Sequence, residues 1–309
     1  MRAIVNVIHM RNKFEVLEQK IRYNFLVEIY NLLYLIRKKN QTIVPTVHSI
    51  EETIRQITTN HCSVSRFGDG EMLLIGRKSI RFQVESEGLS QRLLEVIKSH
   101  EKNHLVCISD AFEELGRYTR RARRFWRTHF YLFGDLWDKS LIPEKSYYNT
   151  FITRPYMDFK YKEKCGIWFN MLKTVWDKRD IVFVEGEKSR LGMGNDLFDN
   201  ASSIKRILCP PVNAFEKYDL ILQKALEQDK NVLFLIALGP TATVLAFDLY
   251  RQGYQAIDVG HVDIEYEWYR MGATHKVSVP SKYVNEALTG REIDIANEEE
   301  YFRQILCSI

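Results

Sequence analysis

Six short apolar runs, most of them separated by stretches of helical periodicity, constrain the fold of this 309-residue chain more than any other feature. HCSVSRF (61–67), NHLVCIS (103–109), DIVFVEG (180–186), SIKRILCP (203–210), NVLFLIALG (231–239) and YQAIDVG (254–260) are bounded by turns and too short for buried helices. Strands that alternate with helices in this way form a mostly parallel sheet with helices on both faces, so the expected class is α/β. Ligands of such sheets bind beyond the carboxyl ends of the strands, and the loops that follow these runs are where chemistry is expected.

Ahead of the first run, Phe14, Leu17, Ile21, Phe25, Ile29, Leu32, Leu33 and Ile36 recur at helical spacing, and Arg37, Lys38 and Lys39 follow, where cations suit a helix C-terminus. The spacing predicts one long amphipathic helix over 12–38. Its many aromatic residues and basic end suit packing on its own domain, a second subunit, or peripheral contact with an anionic membrane. The chain divides on this reading into an N-terminal helical extension (1–45), an α/β domain (46–276) and a C-terminal tail packing on it (277–309). Ser49 followed by Glu52 is a capping-box pattern that predicts a helix of about ten residues.

Four loops carry the candidate chemistry. Arg66-Phe67-Gly68-Asp69-Gly70-Glu71 follows the first run, and its two carboxylates at i and i+2 can converge on one hard divalent cation while Arg66 reaches phosphate oxygens. Gly-Asp-Gly is equally a common turn. Between Glu185 and Phe198, Gly186, Lys188, Ser189, Arg190, Gly192, Gly194 and Asn195 make a cradle for an anion at the start of an expected helix, without Walker or dinucleotide spacing; a polar connection is the plainer alternative. Gly239-Pro240-Thr241 reads as a turn opening a helix, with hydroxyls free for phosphate or sugar, and helix capping explains it as well. The fourth loop packs His261, Asp263, Glu265 and Glu267 beside Tyr266 and Trp268, where a carboxylate or imidazole could take a proton from an acceptor hydroxyl. A helix beginning near Asp263, with Asp263 as cap or sugar contact, would put Glu267 one turn later on the same side. The competing picture there is a surface helix with alternating acids.

Composition narrows the classes. At 45% hydrophobic and 27% charged residues the chain is neither disordered nor fibrous, and 44 Lys+Arg against 40 Asp+Glu give +4, too little for a general nucleic-acid coat. Arg117, Arg120, Arg121, Arg123, Arg124 and Arg127, around Phe125 and Trp126, are a local basic patch. On a helix they point in several directions, so the expected partner is anionic lipid, a polyanionic acceptor or acidic neighbours, and no nucleic acid. Five widely spaced cysteines without a CxxC pair suggest neither a disulfide framework nor a zinc ribbon. With no secretory signal and no membrane-spanning run, the expected place is the cytoplasm, with peripheral contact at the inner face of the membrane as the furthest excursion.

Taken in order, RFGDGE, TRPYMDF, VEGEKSRLGMGNDLF, RILCPPVNAF, LIALGPTATVLAFDLY and GYQAIDVGHVDIEYEWYR resemble the GT-D-fold glycosyltransferases, a bacterial family long carried as a domain of unknown function and found in polysaccharide and adhesin glycosylation. The resemblance runs from about Ile50 to Gly272. It implies a Rossmann-like sheet of distinct (GT-D) topology that transfers a hexose from a nucleotide donor, usually a UDP-sugar, to a glycan or glycoprotein, with a divalent metal such as Mn²⁺ or Mg²⁺. The family's DXE metal motif falls on Asp69 and Glu71. Arg66, Gly68, Ser189, Arg190, Gly192, Gly194, Asn195, Gly239 and Thr241 are then expected around the nucleotide and phosphates. Glu267 is the first candidate for the base of an inverting transfer, with Asp263 beside it and His261 as orienter or substitute. A non-catalytic nucleotide-sugar or polyanion binding protein is the alternative.

Overall fold

A computed structural model describes residues 22–38, 44–280, 282, 284 and 299–309. Residues 22–38 are helical (α1), and positions 12–21 of the expected N-terminal helix lie outside the described residues. Helix α2 (Ile50–Asn60) starts where expected, with the Ser49 hydroxyl accepting from Glu52 N at 3.0 Å. The Glu52 carboxylate does not close the reciprocal half of the capping box; it is bound by Arg55 and Gln56 on its own helix.

Each of the six apolar runs contributes a strand: β1 (Ser63–Arg66), β2 (His104–Ile108), β4 (Asp180–Gly186), β5 (Ser203–Cys209), β6 (Leu233–Ala237) and β7 (Gln255–Asp258). Two more, β3 (Tyr148–Asn149) and β8 (Ile305–Ser308), close the edges. The order is β3-β2-β1-β7-β6-β4-β5-β8, and every pairing is parallel. The helices are α3 (Asp69–Ile75), α4 (Glu87–Lys98), α5 (Arg120–Ser140), α6 (Cys165–Trp176), α7 (Tyr218–Leu226), α8 (Pro240–Arg251), α9 (Val262–Arg270) and α10 (Glu299–Gln304).

Successive side chains of a strand point to opposite faces, and β4 shows how that builds two cores. Ile181 and Phe183 join one layer with Leu172 and Trp176 of α6 and Trp268 of α9. Val182 and Val184 join the other with Ile221 of α7 and Leu245 and Leu249 of α8. The sheet is therefore the helix-covered α/β sheet that the alternation requires. Because all strands run the same way, their carboxyl ends share one edge, and β1 and β7, separated by almost the whole domain in sequence, lie side by side there.

One local expectation fails. No helix follows β4: residues 187–202 are turns that lead directly to β5, which pairs with β4 along its full length. Arg190, Gly192 and Gly194 all take positive φ there, a backbone that cannot continue into a right-handed helix. The C-terminal stretch, in turn, does more than pack on the domain, since β8 pairs with β5 as an edge strand.

Candidate active site

Beyond β1 the acid pair does not lie in a loop. Gly68 is the N-cap of α3, Asp69 and Glu71 fill its first turn, and Glu71 Oε2 accepts from Gly68 N at 2.8 Å. Acids at a helix start gain from the dipole, so sequence and local structure agree on this position. Burial raises the Glu71 pKa to about 7, opposed by the Gly68 N–H and assisted by the nearby Asp258 carboxylate. Arg66, expected to meet phosphate, is held by Asp258: Nε donates to its carbonyl at 2.8 Å and Nη2 to Oδ1 at 2.9 Å. This pair ties the ends of β1 and β7 together. Gly260 makes room for it, because a Cβ there would sit 1.9 Å from Arg66 Nη2.

The second acidic cluster forms around α9. His261 is its N-cap residue without a side-chain cap, so Asp263 is inside the helix and is not its cap. Asp263 and Glu267 lie one turn apart on one face, as i and i+4 require. The Gly192 N–H donates to Asp263 Oδ1 at 3.1 Å, and Asn195 Nδ2 donates to Asp263 Oδ1 and Glu267 Oε1, each at 2.7 Å. Lys282 Nζ, buried, reaches Asp263 Oδ2 at 2.6 Å and Glu267 Oε1 at 3.4 Å. Tyr266 bonds to Asp196, and Arg270 to the Gly194 carbonyl, so positions 263, 266, 267 and 270 hold the 187–202 loop along one side of α9. The loop is an anion cradle, and among the described residues the anions that its donors hold belong to the protein.

Glu265 points the other way. It is fully buried, and its Oε2 accepts the N–H groups of Tyr156 (3.1 Å) and Met157 (2.8 Å), which belong to the TRPYMDF motif. Burial raises its pKa to about 7 against the pull of Arg154.

Other expected ligands are less accessible than their sequence pattern implies. Arg190 is only 2% exposed and lies 5.0 Å over the Tyr301 ring of α10, so its guanidinium packs inward where a phosphate contact was expected. Thr241 is fully buried in the first turn of α8, and Phe82 packs over Gly239. Ser189 is half-buried and Gly194 exposed. Lys282, Phe82 and a third cluster were not anticipated. In that cluster Asp110, just beyond β2, binds Tyr118, Asn149 (2.6 Å) and Arg117 (2.5 Å), with its pKa raised by burial. The rule that singled out the other loops applies equally to the end of NHLVCIS, and would have found Asp110.

A family profile described as glycosyltransferase GT-D fold matches residues 64–287. A solved structure of domain of unknown function 1792, described as having a distinct glycosyltransferase fold, superimposes with a TM-score of 0.83 at 42% identity, covering 90% of this chain and 99% of that one. The chain belongs to the GT-D-fold glycosyltransferase family. A GT-D relative from Streptococcus sanguinis, described as a new glycosyltransferase, gives a TM-score of 0.82 at 41% identity over 86% of this chain and 99% of that chain. Two curated relatives are also similar: the probable glycosyl transferase Gly of Streptococcus gordonii, 42% identical over 266 residues, and the glycosyltransferase GlyD of Streptococcus pneumoniae, 40% identical over 264. Each alignment covers 85% of this chain but only 39% and 32% of those proteins, so this GT-D chain spans about a third of their length.

Proposed function

We propose that the chain transfers a hexose from a UDP-sugar to a glycan or glycoprotein acceptor of a bacterial surface, in a divalent-cation-dependent reaction that inverts the anomeric centre. The observation that carries this reading is that the acid pairs Asp69/Glu71 and Asp263/Glu267 stand on the helices that follow two neighbouring strands, β1 and β7, whose ends the Arg66–Asp258 pair ties together. Asp69 and Glu71 fit a hard cation by donor type, and a bound cation would offset the burial that raises the Glu71 pKa. A bound Mn²⁺ or Mg²⁺ would offset the charge that grows on the diphosphate leaving group.

Glu267 serves as the base. Both oxygens of Asp263 are occupied, whereas Glu267 Oε1 takes Asn195 and Lys282 and leaves Oε2 with no hydrogen-bond partner among the described residues. Asn195 and Lys282 orient that carboxylate, and Asp263 holds the lysine. Exposed Lys188 and Gly194, with half-buried Ser189, are donors of the 187–202 loop that a diphosphate can reach. The test is turnover of a panel of sugar nucleotides with Mn²⁺ and with EDTA. Transfer should vanish in EDTA and in Asp69→Asn and Glu71→Gln, with thermal melting retained. Full turnover in EDTA would remove the cation from the reaction, and saturable donor binding without turnover of any sugar would favour a non-catalytic binding protein.

A further inference from the structure

Helix α1 lies parallel to α5. Glu28 pairs with Arg124 (2.8 Å), Asn31 Nδ2 donates to the Arg124 carbonyl (3.1 Å) and to Thr128 (3.0 Å), and Arg37 pairs with Asp135. Tyr30 stacks on Tyr131. Val27, Asn31 and Tyr34, at i, i+4 and i+7, are the side of α1 that this packing buries. The opposite side is apolar too: Phe25 is 66% exposed, Leu32 65% and Ile36 60%, with Leu26, Ile29 and Leu35 exposed beside them.

The shape and charge of that outer face select its occupant. At about 100° per residue the six side chains cover roughly half of the helix circumference, far wider than the two-position seam of a coiled coil, and they span fewer than two heptads. A second copy of α1 would cover only part of such a face. The one acid in 22–38, Glu28, sits at the margin of that face and is neutralised there by Arg124, whereas Arg22 and Lys38 are exposed at the two ends. Because α1 and α5 run parallel, the exposed Arg120 and Arg121 at the start of α5 lie at the Arg22 end. These arginines occupy the positive end of the α5 dipole, where cations are unfavourable for the helix itself, so a demand other than helix stability places them there. A half-apolar helix flanked by cations is the pattern of a helix lying in the interface of an anionic bilayer. Among the described residues no helix is long and apolar enough to cross a membrane.

We propose that α1 lays its outer face into the headgroup boundary of an anionic lipid bilayer, with Arg22, Lys38, Arg120 and Arg121 on the lipid phosphates. The inference is independent of the transferase reading. It is tested with the full chain by co-sedimentation with vesicles of phosphatidylcholine alone and of phosphatidylcholine mixed with phosphatidylglycerol, alongside light scattering of the protein alone. The wild type should partition onto the mixed vesicles and be released by salt. Phe25→Asp and Leu32→Asp, both at exposed positions, should lower that partition by about tenfold or more without moving the melting temperature. Arg120→Glu with Arg121→Glu should weaken binding to the mixed vesicles alone. Absence of the wild type from the mixed-vesicle pellet, or equal partition of the Asp variants, would overturn the proposal. A dimer that Leu32→Asp dissociates, with no vesicle binding, would assign the face to a second copy instead.

Discussion

The two acidic clusters at the carboxyl edge of the sheet are built on opposite principles. Asp263 and Glu267 are surrounded by the chain's own donors: a backbone N–H, an amide and the buried Lys282 ammonium. Glu71 accepts one backbone N–H from Gly68, stands near a second anion in Asp258, and has its pKa raised by burial, while the nearby Arg66 is committed to Asp258. One cluster is neutralised by a buried ammonium, whereas Glu71 of the other is buried beside a second carboxylate. A carboxylate pair of the second kind is where an external cation brings the larger electrostatic gain, whereas the first is suited to holding one carboxylate in a fixed geometry.

Removal of the internal cation is the strongest way to break this contrast. Lys282→Met leaves Asp263 and Glu267 buried without a counter-charge, and should cost about 3–5 kcal/mol in denaturant unfolding. An unchanged unfolding midpoint would mean that the cluster is not held by its lysine. Glu265 sharpens the contrast within one helix, because it sits between Asp263 and Glu267 in sequence yet shares the raised pKa of Glu71. Between about pH 4.5 and about pH 7 the folded chain keeps a proton on Glu265 that the unfolded chain has released, so unfolding free energy falls as pH rises through that window. Glu265→Gln should remove up to about 3 kcal/mol of this fall, read by comparing unfolding at the two ends of the window. If the variant keeps the wild-type slope, Glu265 titrates normally. The smallest effect is on the proposed chemistry: Glu267→Gln should lower turnover by about a hundredfold, ~2.7 kcal/mol, with donor affinity nearly unchanged. Wild-type turnover in this variant, with loss in Asp263→Asn or His261→Ala, would move the base to the start of α9.

The fold was legible wherever an apolar run stood between turns. All six such runs are strands, but β3 has only two residues, and β8, as long as β1 and β7, follows α10 directly with no turn to mark it. At the site, local relations were legible and reciprocal ones were not. The i, i+4 relation correctly placed Asp263 and Glu267 on one side of a helix. The glycines between Glu185 and Phe198 do mark an anion-holding loop, but one of its anions is Asp263, 71 positions from Gly192, a pairing that no local window contains. Arg66 and Arg190 read as phosphate ligands because a guanidinium's partner is invisible until the chain folds. Lys282 lies in a stretch with no periodicity at all, and only the buried carboxylates opposite reveal its role.

The placement of Lys282 and β8 has a bearing on how the protein is made. Every other strand has left the ribosome by Asp258, yet the cation for Asp263 and Glu267 arrives with Lys282, and the partner of the β5 edge only with Ile305–Ser308. During synthesis the sheet can form through β7 while its acidic cluster is still open and β5 offers an unpaired edge to other chains. Completion of the site is thus coupled to closure of the aggregation-prone edge, and a chain interrupted between these segments would carry both defects at once.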